Sequence, residues 1–209
     1  LRASRPQAQV GVTLNLTPVQ PQGGRAVFAD AVRQVDGVHN RIFLDPLLRG
    51  HYPPDVVADL AHVTDQAHVH DGDLALISAP VDFLGVNYYN PTVVTGGPWP
   101  GPTSAGPGTW GRPVTAMGWE IDASAFTGLL RRLHDDYAAP PIVITENGSA
   151  WPDTVTAGAV HDPDRTACLQ AHLQACREAM AAGVDLRGYF AWSLLDNFEW
   201  ACGYGKRFG

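Results

Sequence analysis

Residues 142–146 read I-V-I-T-E, and Asn147-Gly148 turns the chain immediately afterwards. Four apolar or β-branched residues ending in one carboxylate, bounded by a turn signal, form the pattern of a strand buried on both faces. Three other stretches are built alike: residues 10–16 (V-G-V-T-L-N-L), closed by Thr17-Pro18; residues 83–89 (F-L-G-V-N-Y-Y), closed by Asn90-Pro91; and residues 188–193 (G-Y-F-A-W-S). Between them the period changes. Phe126, Leu129, Leu130, Leu133 and Tyr137 recur at helical spacing, as do Leu169, Leu173, Cys176 and Met180. The second of these helices opens at Asp162-Pro163 and closes at Gly183. A third helical stretch, residues 26–38, leads into a compact connection rich in Leu, Arg and Pro. Strands alternating with helices predict a parallel α/β sheet with right-handed crossovers.

A closed barrel takes eight strands and about 250 residues, so four βα units are too few. The pattern alone leaves two architectures, an open doubly wound sheet or part of a larger barrel. Residues 92–118 are rich in Gly and Pro, carry Trp99 and Trp110, and predict a long irregular loop of the kind that binds ligands.

Composition narrows the partners. The 209 residues carry 14 basic and 21 acidic side chains, a net charge of −7, and Lys206 is the only lysine. That balance argues against nucleic acid, which needs a basic face. No run approaches the roughly 18 apolar residues of a membrane helix. Cys168, Cys176 and Cys202 are odd in number and lack zinc spacing, and their reading as reduced packing residues suits the cytoplasm. His62, His68 and His70 with Asp71 and Asp73 read as a solvated loop rather than a metal site. Asp36 and Asp45 read as caps or ion pairs.

The strand ends carry the chemistry. An isolated strand-terminal Glu is ordinarily a surface ion-pair member. Here Glu146 has company: Asn87, Tyr88 and Tyr89 end the preceding strand, Trp192 ends the following one, and residues 194–200 (L-L-D-N-F-E-W) add a second Glu among aromatics. Parallel α/β folds place reactive groups at the carboxyl ends of their strands. Aromatic faces with fixed carboxylates and amides are what a sugar ring needs, its C–H faces stacking and its hydroxyls pairing.

The runs D-F-L-G-V-N-Y-Y (82–89), M-G-W-E-I (117–121), I-T-E-N-G (144–148) and G-Y-F-A-W-S-L-L-D-N-F-E-W (188–200) resemble glycoside hydrolase family 1, as do L-N-L-T-P (14–18) and residues 36–50. The resemblance is ordered and spans nearly the whole chain. It implies a (β/α)₈ barrel of which residues 1–209 hold the C-terminal half, approximately strands five to eight, the last C-terminal segment being absent. It implies a retaining β-glycosidase of the β-glucosidase type. Glu146 matches the nucleophile, and Tyr89 the tyrosine that orients it. Asn87 matches a polar residue of the same site. Glu199 and Trp200 match the pair that grips the far hydroxyls of the glycone, Trp192 its platform, Phe208 an aromatic at its edge, and Trp119 a tryptophan on the aglycone side. A carboxylate at 199 would repel a 6-phosphate, which favours an unphosphorylated β-glucoside or cello-oligosaccharide over the substrates of 6-phospho-β-glucosidases. The resemblance implies neither metal nor cofactor.

The family's acid/base carboxyl lies in an N-E-P run on the fourth strand, and no N-E-P occurs here. Glu120 and Glu178 lack that context. The expectation is therefore a fragment that is inactive alone and needs the N-terminal half of the barrel. A thioglycosidase relative, a non-catalytic sugar-binding relic and a plain doubly wound binding domain are the competing readings.

Overall fold

A computed structural model describes residues 3–97 and 102–209. In chain order its strands are β1 (Gly11–Asn15), β2 (Val19–Pro21), β3 (Phe83–Asn87), β4 (Thr92–Gly96), β5 (Ala105–Pro107), β6 (Ile142–Asn147), β7 (Val155–Thr156), β8 (Ala159–Val160) and β9 (Leu186–Ala191). Its α-helices are α1 (Ala29–Asp36), α2 (Ile42–Arg49), α3 (Pro54–Asp59), α4 (Asp73–Ile77), α5 (Ala123–Tyr137) and α6 (Pro163–Ala181). The chain divides into two compact units.

The first unit comprises the chain up to Asn15, Asp82–Asn90 and Gly111–Gly209. Its centre is a four-stranded sheet ordered β1-β3-β6-β9, every pair parallel. The four predicted strands are these four. Strand alternation sends Leu84, Val86, Ile142 and Ile144 to one face, where all are at most 2% exposed. Phe126, Leu130 and Leu133 of α5 are fully buried in the same core. On the opposite face Gly85 is indispensable, because a Cβ there would run into the Thr13 hydroxyl and the Thr145 methyl.

The expectation of burial on both faces holds for β3 and β6 but not for the outer strands. Val12 is 36% exposed and Phe190 62%. β1 and β9 each lack a neighbour on one side among the described residues, and an edge strand keeps only one flank covered.

The α5 stripe is buried as its spacing predicts, and its start is capped: the Asp122 carboxylate accepts from the Ala125 N–H at 3.0 Å. The α6 stripe is a correction. Its buried face is Arg165, Cys168, His172, Ala175, Cys176 and Ala179, whereas Leu173 is 48% and Met180 52% exposed. Small side chains let α6 approach α5 closely, so contact goes to them rather than to the bulkiest apolar residues.

The second unit comprises Leu16–Val81 and Pro91–Trp110. The predicted helix at 26–38 is α1, with a 3₁₀ turn before it. The connection expected after it is helical instead: one wide turn, Gly37–Arg41, runs into α2. Tertiary contacts override the irregular composition. Asn40 is fully buried, accepts from Thr17 N–H (3.1 Å), and donates to Thr17 O and Asp36 (2.8 Å each). Asp36 also faces Arg41 and Asp45 faces Arg49, each at 3.3 Å, so both aspartates are ion-pair members as expected.

The loop expected at 92–118 is only partly irregular. β4 pairs with β2 in parallel and with β5 in an antiparallel hairpin, and Val94 and Ala105 join the core of Ala31 and Val35. Trp99 lies outside the described residues.

Candidate functional site

Strand register brings the polar ends level. Asn15 pairs with Asn87 across β1 and β3, and Asn87 pairs with Glu146 across β3 and β6. Beyond the last paired residues the ends are tied by backbone hydrogen bonds: Tyr88 N–H donates to Glu146 O at 3.0 Å, and Trp192 N–H to Asn147 O at 2.9 Å. The Glu146-Asn147 backbone is thus held from both sides.

The two tyrosines after β3 face opposite ways, as successive residues of extended chain must. Tyr88 goes to the helix layer. It is fully buried, stacks on Phe126 with ring centroids 4.5 Å apart, and donates to Asp122 O at 2.7 Å. Tyr89 goes to the site, where its hydroxyl donates to Glu146 Oε2 at 2.6 Å. Burial, followed by the hydrogen bond and charge of Glu146 and then the charge of Glu199, pushes the Tyr89 phenol well above its ordinary range. It is therefore a donor, not an anion, through neutral and alkaline pH. Glu146 Oε1 has no protein partner among the described residues.

Asn147 splints the site from behind. It is 1% exposed, donates from Nδ2 to Tyr88 O at 2.8 Å and accepts the Tyr189 hydroxyl at 2.6 Å. One amide thus joins the ends of β3, β6 and β9. Burial also raises the Tyr189 phenol, which keeps it a donor to that amide.

A cavity of about 440 Å³ opens over these ends. Every residue that the family resemblance assigned to the site lines it: Glu146, Tyr89 and Asn87 at the strand ends, with Trp119, Trp192, Glu199, Trp200 and Phe208 around them. Asn87 Oδ1 accepts from the Thr145 hydroxyl at 2.7 Å. The Tyr89, Trp119 and Phe208 rings form a cluster with centroids 5.4–6.3 Å apart. Trp192 is half-buried, and Trp200 stands 83% exposed at the rim. Phe208, expected at an edge, is 1% exposed. Its backbone explains that placement: Ser193 N–H donates to Phe208 O, and both Trp151 N–H and the Arg165 guanidinium donate to Arg207 O.

Glycine is required at 148. A Cβ there would collide with the backbone carbonyl of Trp192. Gly148→Ala is expected to lower stability by about 3 kcal/mol, because only backbone movement relieves the clash. Gly128→Ala, in open space on α5, should raise it by about 0.5–1 kcal/mol. Urea unfolding midpoints of the two variants check the contrast.

Sequence reasoning assigned nothing to Asn15, which lines the cavity, nor to Asn147 or Arg165. For Asn15 a signal existed, since it ends its strand as Asn87 ends the next. For Arg165 the local i,i+3 pair with Asp162 said nothing of the site, and its Asp153 and Arg207 partners meet it only in three dimensions. The polar groups of the histidine loop make local contacts. His62 pairs with Asp59 O at 2.9 Å, and Asp73 accepts the His70 N–H at 2.8 Å. Among the described residues no group of three His, Cys, Asp or Glu could hold a metal ion. None of their helices is long and apolar enough to cross a membrane.

Chemically, the cavity presents a carboxylate capped on one oxygen by a phenol, a second carboxylate, amides and several aromatic faces, with no lysine or arginine lining it among the described residues. Such a wall suits a neutral polyhydroxylated ring.

Known proteins match this chain throughout its length. A bifunctional β-D-glucosidase/β-D-fucosidase from Bifidobacterium breve is 46% identical over 96% of this chain and 46% of its own length. Thermostable β-glucosidase B from Thermobispora bispora is 44% identical over 95% of this chain and 42% of its own. The crystal structure of the GH1 β-glucosidase from Exiguobacterium antarcticum B7 superposes with a TM-score of 0.94 at 39% identity, covering all of this chain and 47% of that one. The chain therefore spans about half the length of the relatives it matches, and its four-stranded sheet is consistent with part of a (β/α)₈ barrel. The model of Glycosyl hydrolase family 1 matches residues 1–209, and the chain belongs to that family.

Proposed function

We propose that residues 1–209 are the C-terminal half of one barrel catalytic domain, with β1, β3, β6 and β9 as its strands five to eight. Together with the N-terminal half they act as a retaining β-glycosidase of the β-glucosidase type on terminal β-D-glucosyl residues. The observation that carries this reading is the 2.6 Å hydrogen bond from Tyr89 to Glu146 in a cavity that also holds Glu199.

Glu146 Oε1, which has no protein partner among the described residues, attacks the anomeric carbon, and the bond to the leaving oxygen breaks as an acid from the other half protonates it. The Tyr89 donor holds the carboxylate aimed. Water, deprotonated by the same acid/base group, then displaces Glu146 from the glycosyl-enzyme, so the product keeps the β configuration. Trp192 serves as a platform beneath the ring, Glu199 and Trp200 grip its far hydroxyls, and Trp119 lines the aglycone side. Among the described residues the cavity lining holds two carboxylates and no lysine or arginine, which disfavours a phosphorylated sugar.

Trapping tests the assignment. A 2-deoxy-2-fluoro-β-glucoside with a good leaving group should inactivate the full-length enzyme, adding one fluoroglucosyl mass to the peptide that holds Glu146. Adduct on another residue, or none, would refute it.

A further inference from the structure

We infer that Asn197 is a positioning residue for Glu199: by holding one carboxylate oxygen it presents the other to the sugar, and so sets the preference for glycosides that carry a 6-hydroxyl. This rests on the proposed role of Glu199. Asn197 Nδ2 donates to Glu199 Oε2 at 2.8 Å, a charge-assisted hydrogen bond. Glu199 Oε1 has no protein partner among the described residues, and Glu199 lines the cavity. The two oxygens thus divide between anchorage and recognition.

The main chain of this loop is pinned independently. Glu199 N–H donates to Gly203 O at 2.7 Å and Cys202 N–H to Glu199 O at 2.8 Å. Phe198 and Tyr204 close the turn edge to face, with centroids 5.3 Å apart. What these contacts leave loose is the Glu199 side chain, with its three rotatable bonds. Asn197 is the side chain that restrains it.

A cost marks the arrangement as selected for that bond. Asn197 Oδ1 is buried without a hydrogen-bond partner among the described residues, a condition few buried polar atoms show. Rotating the amide would not relieve it, since Oδ1 would then face the Glu199 carboxylate, acceptor against acceptor.

The test compares nitrophenyl β-glucoside with its 6-deoxy analogue in the full-length enzyme. Asn197→Ala should lower kcat/KM about 10- to 100-fold on the glucoside and less than about 3-fold on the 6-deoxy compound. Asn197→Asp keeps the side-chain shape but sets one carboxylate against another, and should narrow the same ratio. Added to Glu199→Gln, Asn197→Ala should cost little more. Equal losses on both substrates would show a merely structural role and overturn the inference. So would an unchanged ratio in both Asn197 variants while Glu199→Gln collapses it, and that result would leave the Glu199 reading standing. A ratio indifferent to Glu199→Gln would overturn that reading and this inference with it.

Discussion

Glu146→Gly in the full-length glycosidase is expected to lower kcat/KM on an aryl β-glucoside by on the order of 10⁴-fold or more, the scale of loss when a covalent nucleophile is removed. Azide should restore turnover, and the product should be the α-glucosyl azide. The reasoning is geometric. Deleting the carboxylate vacates the space opposite the leaving group while the strand end stays fixed by the Tyr88 and Trp192 backbone bonds. A small anion in that space attacks the anomeric carbon once, with inversion, and the acid from the other half still protonates the departing oxygen. Recovery of the β-azide would instead identify Glu146 as the acid/base, because the anion would then intercept a glycosyl-enzyme formed elsewhere. Tyr89→Phe should cost less, about 10- to 100-fold, since it removes an aiming donor rather than the attacking atom. Proton NMR of the anomeric hydrogen distinguishes the two azides.

Much of this site was legible because it depends on period and position. Asn87, Tyr89, Glu146 and Trp192 read as the ends of successive parallel strands, while the resemblance to family 1, not the strand period, singled out Tyr89 over Tyr88; the structure sets Asn87 level with Glu146. What was not legible depends on partners distant in sequence. The α6 stripe was misjudged because Leu169, Leu173 and Met180 look like a buried face, yet packing on α5 selected Cys168, Ala175 and Ala179. Apolar size measures what a helix would gain by burial, not which face its neighbour can approach. The helical run at 42–49 was hidden by Pro46 and held by Asn40, whose bonds to Thr17 span 23 residues. The hairpin of β4 and β5 lay inside a Gly/Pro-rich stretch where no alternation survives. Asn147 was quoted only as a turn residue. Its role as a splint required knowing that Tyr189, 42 residues on, would end beside it.

The 209-residue chain alone is expected to release nitrophenol from an aryl β-glucoside no faster than buffer does, and mixing with the N-terminal half should restore turnover that Glu146→Gln abolishes. Retaining hydrolysis needs a second carboxyl about 5–5.5 Å from the nucleophile, protonated at working pH. The chain has four glutamates. Glu120 is held by Arg112 and the Gly111 N–H, and Glu178 accepts from Gln174 on exposed α6. Neither lines the cavity. Glu199 does, but one of its oxygens is already engaged by the Asn197 amide, and its proposed role is to grip the glycone. Without a proton donor the leaving oxygen departs as an anion, so a highly activated dinitrophenyl glucoside is the discriminating substrate. A slow burst of one equivalent with the fragment would still fit this account, because Glu146 can be glycosylated when the leaving group needs no acid. Steady turnover of an unactivated glucoside by the fragment, lost on Glu146→Gln, would overturn it and place the acid within these residues.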